Sequence, residues 1–233
     1  MKRILTFIMA SICAFGCLFA AGCSSSADNA DDSFKGLYDE IEKTEPEYTY
    51  TNENMLYDFE EKESCYRNIS FSSVFGSVSQ NTDKKYVSCG NGSMKVVVNG
   101  RSDGSWSMIT FAIPSEYSDF TSVKSIMVDV MYETEDNHDQ IVSLGVWSSS
   151  GNRCETEGIV RAKNGEWFTL RIAMHDVMYA CTIGSVWNYG VKWKDEYMKS
   201  MSSFYISLPP FAQGQKPAAL YIDNVRVDYL SDN

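Results

Sequence analysis

Trp106, Trp147 and Trp167 share a setting. Each lies in a short segment of alternating residues, on the side opposite the more uniformly apolar set. An indole offers a flat apolar face and one N–H donor, and Arg171 adds a planar cation on the same side of its segment as Trp167. Such a set suits a ring with apolar C–H faces and hydroxyls at its rim, which is the chemistry of a sugar. Bond cleavage asks for more. Glycoside hydrolysis needs two carboxylates about 5–10 Å apart across a cleft, and the Trp-bearing sides carry no such pair. Asp129 belongs to a different segment, and Glu155, Glu157, Asp195 and Glu196 are loop acids that nothing pairs. His138 and His175 are the only histidines, and no spacing ties either to a Cys or Ser nucleophile. Gly90-Asn91-Gly92 reads as a turn and not as a phosphate-binding loop.

The cysteines give no close metal or redox spacing. Of seven, Cys13 and Cys17 fall in the apolar N-terminal run and Cys23 follows it. Cys65, Cys89, Cys154 and Cys181 are scattered through the body without a CxxC pair. Four cysteines allow three pairings, and sequence does not choose among them. The net charge of −11 would repel nucleic-acid phosphates, so no nucleic-acid partner is expected. Most of that charge lies early: residues 24–63 hold 13 acids against 3 bases.

The elements that must position these side chains are short strands. From residue 56 the periodicity is mainly two, and eight segments carry it: 56–60, 93–98, 105–113, 123–132, 141–147, 166–174, 203–208 and 220–229. Ile109, Phe111 and Ile113 form one core set. Ile126, Val128 and Val130, then Val142, Leu144 and Val146, then Phe168, Leu170 and Ile172 form the others. Eight antiparallel strands with almost no helix predict an all-β, two-sheet jelly-roll sandwich over residues 55–233. In the usual jelly-roll order the third, fifth and sixth strands share a sheet, which would gather the three Trp on one surface. Residues 176–201 read as the longest connection, rich in aromatics (Tyr179, Trp187, Tyr189, Trp193, Tyr197), and as a loop that could shape that surface.

Before the sandwich the chain reads as an export and anchoring device. Lys2 and Arg3 precede an apolar run from Ile4 to Ala21, the pattern of a secretory signal over residues 1–22. Ala20-Ala21-Gly22-Cys23 resembles the lipobox of bacterial lipoproteins, with Ala20 where that motif more often has Leu. The resemblance implies lipidation of Cys23, with two or more acyl chains holding the chain to a membrane from the extracytoplasmic side. Which membrane, the cell membrane or an outer one, stays open. Residues 23–54 form an acidic tether, in which Phe34, Leu37, Tyr38 and Ile41 are spaced for one short amphipathic helix.

Several segments of the body also resemble galactose-binding-like jelly rolls of the kind found in carbohydrate-binding modules of bacterial glycosidases. They are Asp58-Phe59-Glu60, Gly92-Ser93-Met94-Lys95-Val96, Gly165-Glu166-Trp167-Phe168-Thr169-Leu170 and Tyr221-Ile222-Asp223-Asn224-Val225-Arg226-Val227. The resemblance implies a structural calcium ion pinning the first strand to the last, at positions that match Asp58, Glu60 and Asp223. Carboxylates and backbone carbonyls would supply the hard oxygens that calcium requires. It also implies a glycan ligand, for which Trp106, Trp147, Trp167 and Arg171 are the candidates. The expected function is binding of a polysaccharide or oligosaccharide without cleavage. A jelly-roll glycanase or polysaccharide lyase with a loop-built site is one alternative, and a structural or protein-interaction lipoprotein is another.

Overall fold

A computed structural model of the chain describes residues 54–71, 75–99, 106–155, 160–183, 186–211 and 215–230. The chain divides into two compact units, Met1–Thr49 and Tyr50–Asn233. The first unit, with the expected signal, Cys23 and the expected helix near Phe34, lies outside the described residues. Among the described residues no helix is long and apolar enough to cross a membrane.

The second unit contains fourteen strands in the described residues. They are β1 (Met55–Tyr57), β2 (Ile69–Phe71), β3 (Phe75–Asn81), β4 (Ser93–Val98), β5 (Ser107–Ala112), β6 (Val123–Thr134) and β7 (Gln140–Ser148). The rest are β8 (Arg153–Glu155), β9 (Val160–Ala162), β10 (Trp167–Ala173), β11 (Val177–Ile183), β12 (Val186–Lys192), β13 (Met201–Leu208) and β14 (Ala218–Tyr229). A single turn of helix, α1 (Asp195–Met198), precedes β13. A six-stranded sheet runs β10-β6-β14-β4-β3, with β1 added to β14. An eight-stranded sheet runs β12-β11-β8-β7-β13-β5-β2, with β9 added to β7. All pairings are antiparallel.

Alternation builds the core between the two sheets. Ile109 and Phe111 of β5, Val142, Leu144 and Val146 of β7, and Phe204, Ile206 and Leu208 of β13 fill it from one side. Ile126, Val128 and Val130 of β6 and Leu220, Ile222, Val225 and Val227 of β14 meet them from the other. Phe111 stacks on Phe204 with ring centroids 4.6 Å apart, and Tyr57 packs edge-on against both rings. The core sets read from alternation are therefore the buried ones, with Phe168 half-buried at the rim.

Two expectations about the strands are corrected. The sixth expected strand, now β10, does not join β5 and β7: its residues Trp167 to Ala173 pair with Met131 to Ser125 of β6. A strand has two edges. One edge of β7 holds β13, and the short strands β8 and β9 fold back onto the other. With both edges taken, β10 crosses to the six-stranded sheet. Second, residues 176–201 are not an irregular connection. Most of them form the antiparallel hairpin β11–β12, followed by α1.

Candidate functional site

The four side chains expected on one surface fall on two. Trp147 points outward from β7 in the eight-stranded sheet, and Trp106 lies one residue before β5 in the same sheet, in phase with its outward positions. Trp167 and Arg171 point outward from β10 in the six-stranded sheet, across the sandwich. Trp106 and Trp147 are also well separated. Trp147 is level with Ser203 and Ala112, and Trp106 is six residues back along β5, or ~20 Å at strand rise.

The outer face of the six-stranded sheet is sealed near its middle. Asp83 caps a 3-10 turn at Lys84–Tyr86, and the chain that follows lies over β14. Tyr86 stacks on Tyr221 with centroids 4.2 Å apart and planes 8° from parallel. The Asp223 carboxylate accepts from the Ser88 and Cys89 backbone N–H groups at 2.9 and 3.0 Å and from the Asn224 N–H at 2.8 Å. Beside it, Asp129 accepts from Thr169 Oγ1 (2.7 Å), Asn224 Nδ2 (2.7 Å) and the Arg226 guanidinium (2.9 Å). A register shift in β14 between Asp223 and Arg226, with Asn224 at φ 49°, turns these side chains to the same side. Burial pushes the Asp223 carboxyl up to about 6 against the pull of its donors. This is a closed polar cluster that fastens a loop to a sheet.

The residues expected to hold calcium are engaged in the same way. Asp58 Oδ1 accepts from the Glu60 N–H at 3.2 Å, and Glu60 Oε1 accepts from the Asn91 N–H at 2.7 Å. Asp223 is taken up as described, with Arg226 as the local cation. Among the described residues no three His, Cys, Asp or Glu side chains gather within metal-binding range. Calcium bound there would compete with these N–H donors for the three carboxylates.

The outer face of the eight-stranded sheet has a different character. Register places Ala112, Ser203, Trp147, Arg153, Thr182 and Trp187 in one row across β5, β13, β7, β8, β11 and β12. Register partners project to the same side of a sheet, so this row is continuous. At its centre the Arg153 guanidinium carbon lies 5.4 Å from the Trp147 ring centroid and 4.3 Å from that of Trp187. Its Nε donates to Thr182 Oγ1 at 3.3 Å. Two indoles thus hold one planar cation between them, the geometry in which cation and ring quadrupole attract.

The next row gives this set its floor. Gly145 of β7 faces Tyr205 of β13, and a Cβ at Gly145 would lie 2.1 Å from Tyr205 Cζ. Only glycine lets that ring lie flat over β7, where it meets Trp147 at 6.1 Å between centroids. A row further, Ser143 and Ser207 join hydroxyls at 2.6 Å. At the β12 side the surface opens: Trp187 is 44% exposed and Tyr189 67%. The result is an aromatic platform with Arg153 at its centre and hydroxyls at its margin. Trp187, Tyr189, Tyr205 and Arg153 are not among the residues that the sequence singles out, the first two because β12 carries no alternation and reads as loop. Gly184-Ser185 between two runs of strand-forming residues is the sequence signal that would have found that hairpin.

No protein-family profile and no curated protein sequence matches this chain. Solved structures do match its shape. An exo-β-agarase superposes with a TM-score of 0.56 at 20% identity over 77% of this chain, which spans about a quarter (25%) of that enzyme. A family 11 carbohydrate-binding module from Clostridium thermocellum, solved with a β-1,3-1,4-mixed-linked tetrasaccharide, gives 0.51 at 14% identity over 77% of this chain and 97% of the module. A second agarase gives 0.51 at 13% identity, over 76% of this chain and 24% of that one. At these identities the likeness is one of fold. Two antiparallel sheets closed on one core, and the near-complete overlap with a free-standing module, make the described body of this chain a jelly-roll β-sandwich with the fold of carbohydrate-binding modules.

Proposed function

We propose that this chain binds a polysaccharide or oligosaccharide, without cleaving it, on the outer face of the eight-stranded sheet. The observation that carries the reading is the row Trp147–Arg153–Thr182–Trp187, with Tyr205 and Tyr189 beside it. The open faces of Trp187 and Tyr189 and the half-buried Trp147 receive the apolar faces of sugar rings, Arg153 and Thr182 receive their oxygens, and buried Tyr205 supports Trp147 from beneath. Trp147 and Trp106 keep their place in this reading, Trp106 at the distant end of the sheet. Trp167 and Arg171, on the opposite sheet, leave it. We further read the chain as an extracytoplasmic lipoprotein, joined to the membrane through acyl chains on Cys23, which brings the sandwich to glycans outside the cell.

Titration of the protein with a panel of glycans tests this, followed by tryptophan fluorescence and calorimetry. The panel includes a β-1,3-1,4-linked tetrasaccharide and agar-derived oligosaccharides. Binding with a change in indole emission and no change in chain length of the glycan is the expected outcome. Cleavage products would favour the enzymatic alternative. A panel without binding would end the proposal.

A further inference from the structure

Cys154 and Cys181 stand directly opposite one another on β8 and β11. Both side chains are fully buried on the core side of the sheet, and both are thiols in the structure. Directly opposed residues of an antiparallel pair have Cα atoms about 4.5–5.5 Å apart, inside the ~4.4–6.8 Å span that a disulfide bridges. Because the two residues are register partners, their Cβ bonds point the same way, about 4.5–5.5 Å apart, and closing the bond draws them in to about 3.5–4.5 Å. Of the six pairs that four body cysteines allow, this is the one the strand register supports. Cys65 lies in the core at the last position of a 3-10 turn, and Cys89 lies on the outer side of the other sheet beside Asp223.

We propose that Cys154 and Cys181 are a disulfide site, closed when the chain folds in an oxidising compartment. The compartment rests on the export reading; the pairing rests on the strand register. The reaction is thiol–disulfide exchange with an oxidant that itself carries a disulfide. One cysteine thiolate attacks the oxidant's S–S bond and forms a mixed disulfide, and the second displaces the remaining oxidant sulfur. The two cysteines give up two electrons and two protons, and the oxidant leaves as two thiols. Burial pushes the Cys181 thiol above its ordinary value. Arg153 and Thr182 are the chain neighbours of the two cysteines and form the adjacent register pair. The bridge therefore sits beneath the centre of the aromatic platform and ties the β11–β12 hairpin to β8.

The test uses the full chain, exported from a bacterium with its own signal and extracted in mild detergent. It is alkylated in denaturant without reductant and mapped by mass spectrometry. The same chain, made under reducing conditions, is refolded in detergent with oxidised glutathione. The expected result is one reductant-sensitive peptide joining Cys154 to Cys181 in both samples, unchanged in a Cys65→Ala/Cys89→Ala variant. Reduction should lower the melting temperature by roughly 5–10 °C. A link in the refolded sample but not in the exported one supports the pairing and overturns the export reading. Alkylated Cys154 and Cys181 in both samples, or either joined to Cys65 or Cys89, overturns the pairing.

Discussion

Arg153 is the residue on which the candidate site turns, because it touches both indoles and a threonine at once. Replacing it with Lys keeps the charge and removes the plane. Stacking needs that plane, so Arg153→Lys is expected to weaken glycan affinity about tenfold by calorimetry, or about 1.4 kcal/mol, with little change in melting temperature. Gly145 is the second such residue. Gly145→Val would drive a side chain into the Tyr205 ring, tilt the floor of the platform and lower both stability and affinity. Asp223 belongs to stability alone. Its carboxyl is lifted from 3.8 to about 6 by burial, so its contribution is fully present below the unfolded value and is lost as pH rises through about 6. Melting temperature should therefore fall between about pH 4 and pH 6 through this group. Asp223→Asn should flatten that part of the profile, and a wild-type profile without the slope would contradict the assignment.

At the scale of elements, the β11–β12 hairpin decides how the platform is completed, since it brings Thr182, Trp187 and Tyr189 to β8. Hairpins at a sheet edge are the least stable part of such a fold. Exchange protection of β12 amides should therefore rise when glycan is added, while that of β6 stays constant. This same hairpin marks where the sequence ceased to be legible. Segments 105–113, 123–132 and 141–147 alternate, because one face of each is core, and the alternation names their buried residues. Val177 to Ile183 is an apolar run with no alternation, and Val186 to Lys192 carries exposed Val, Trp and Tyr. Period-two patterning measures the contrast between faces, and neither strand has it. The three-residue strands β8 and β9 are too short to show a period at all. Missing them miscounted the strands and placed Trp167 and Arg171 on the wrong sheet. The partners of the acids are hidden for a related reason: acidic residue types are visible in sequence, but the N–H groups of Ser88, Cys89 and Asn91 that engage them come from a loop whose placement is a tertiary fact.

For the whole molecule, the two sheets divide the labour. The six-stranded sheet is covered by its own loop and a closed polar cluster, and the eight-stranded sheet carries exposed aromatics. Full-length chain should fractionate with membranes and Cys23→Ser should not, as detergent extraction and sedimentation would show. That result bears on anchoring and leaves ligand binding untouched. The central claim, that one sheet face and not the other meets the glycan, is tested most directly by comparing Trp187→Ala with Trp167→Ala against the same bound oligosaccharide in a calorimeter. Loss of about tenfold or more in affinity for Trp187→Ala, with Trp167→Ala equal to wild type, is the outcome expected from the geometry. Affinity retained in Trp187→Ala and lost in Trp167→Ala would contradict it and move the site to the opposite side of the sandwich.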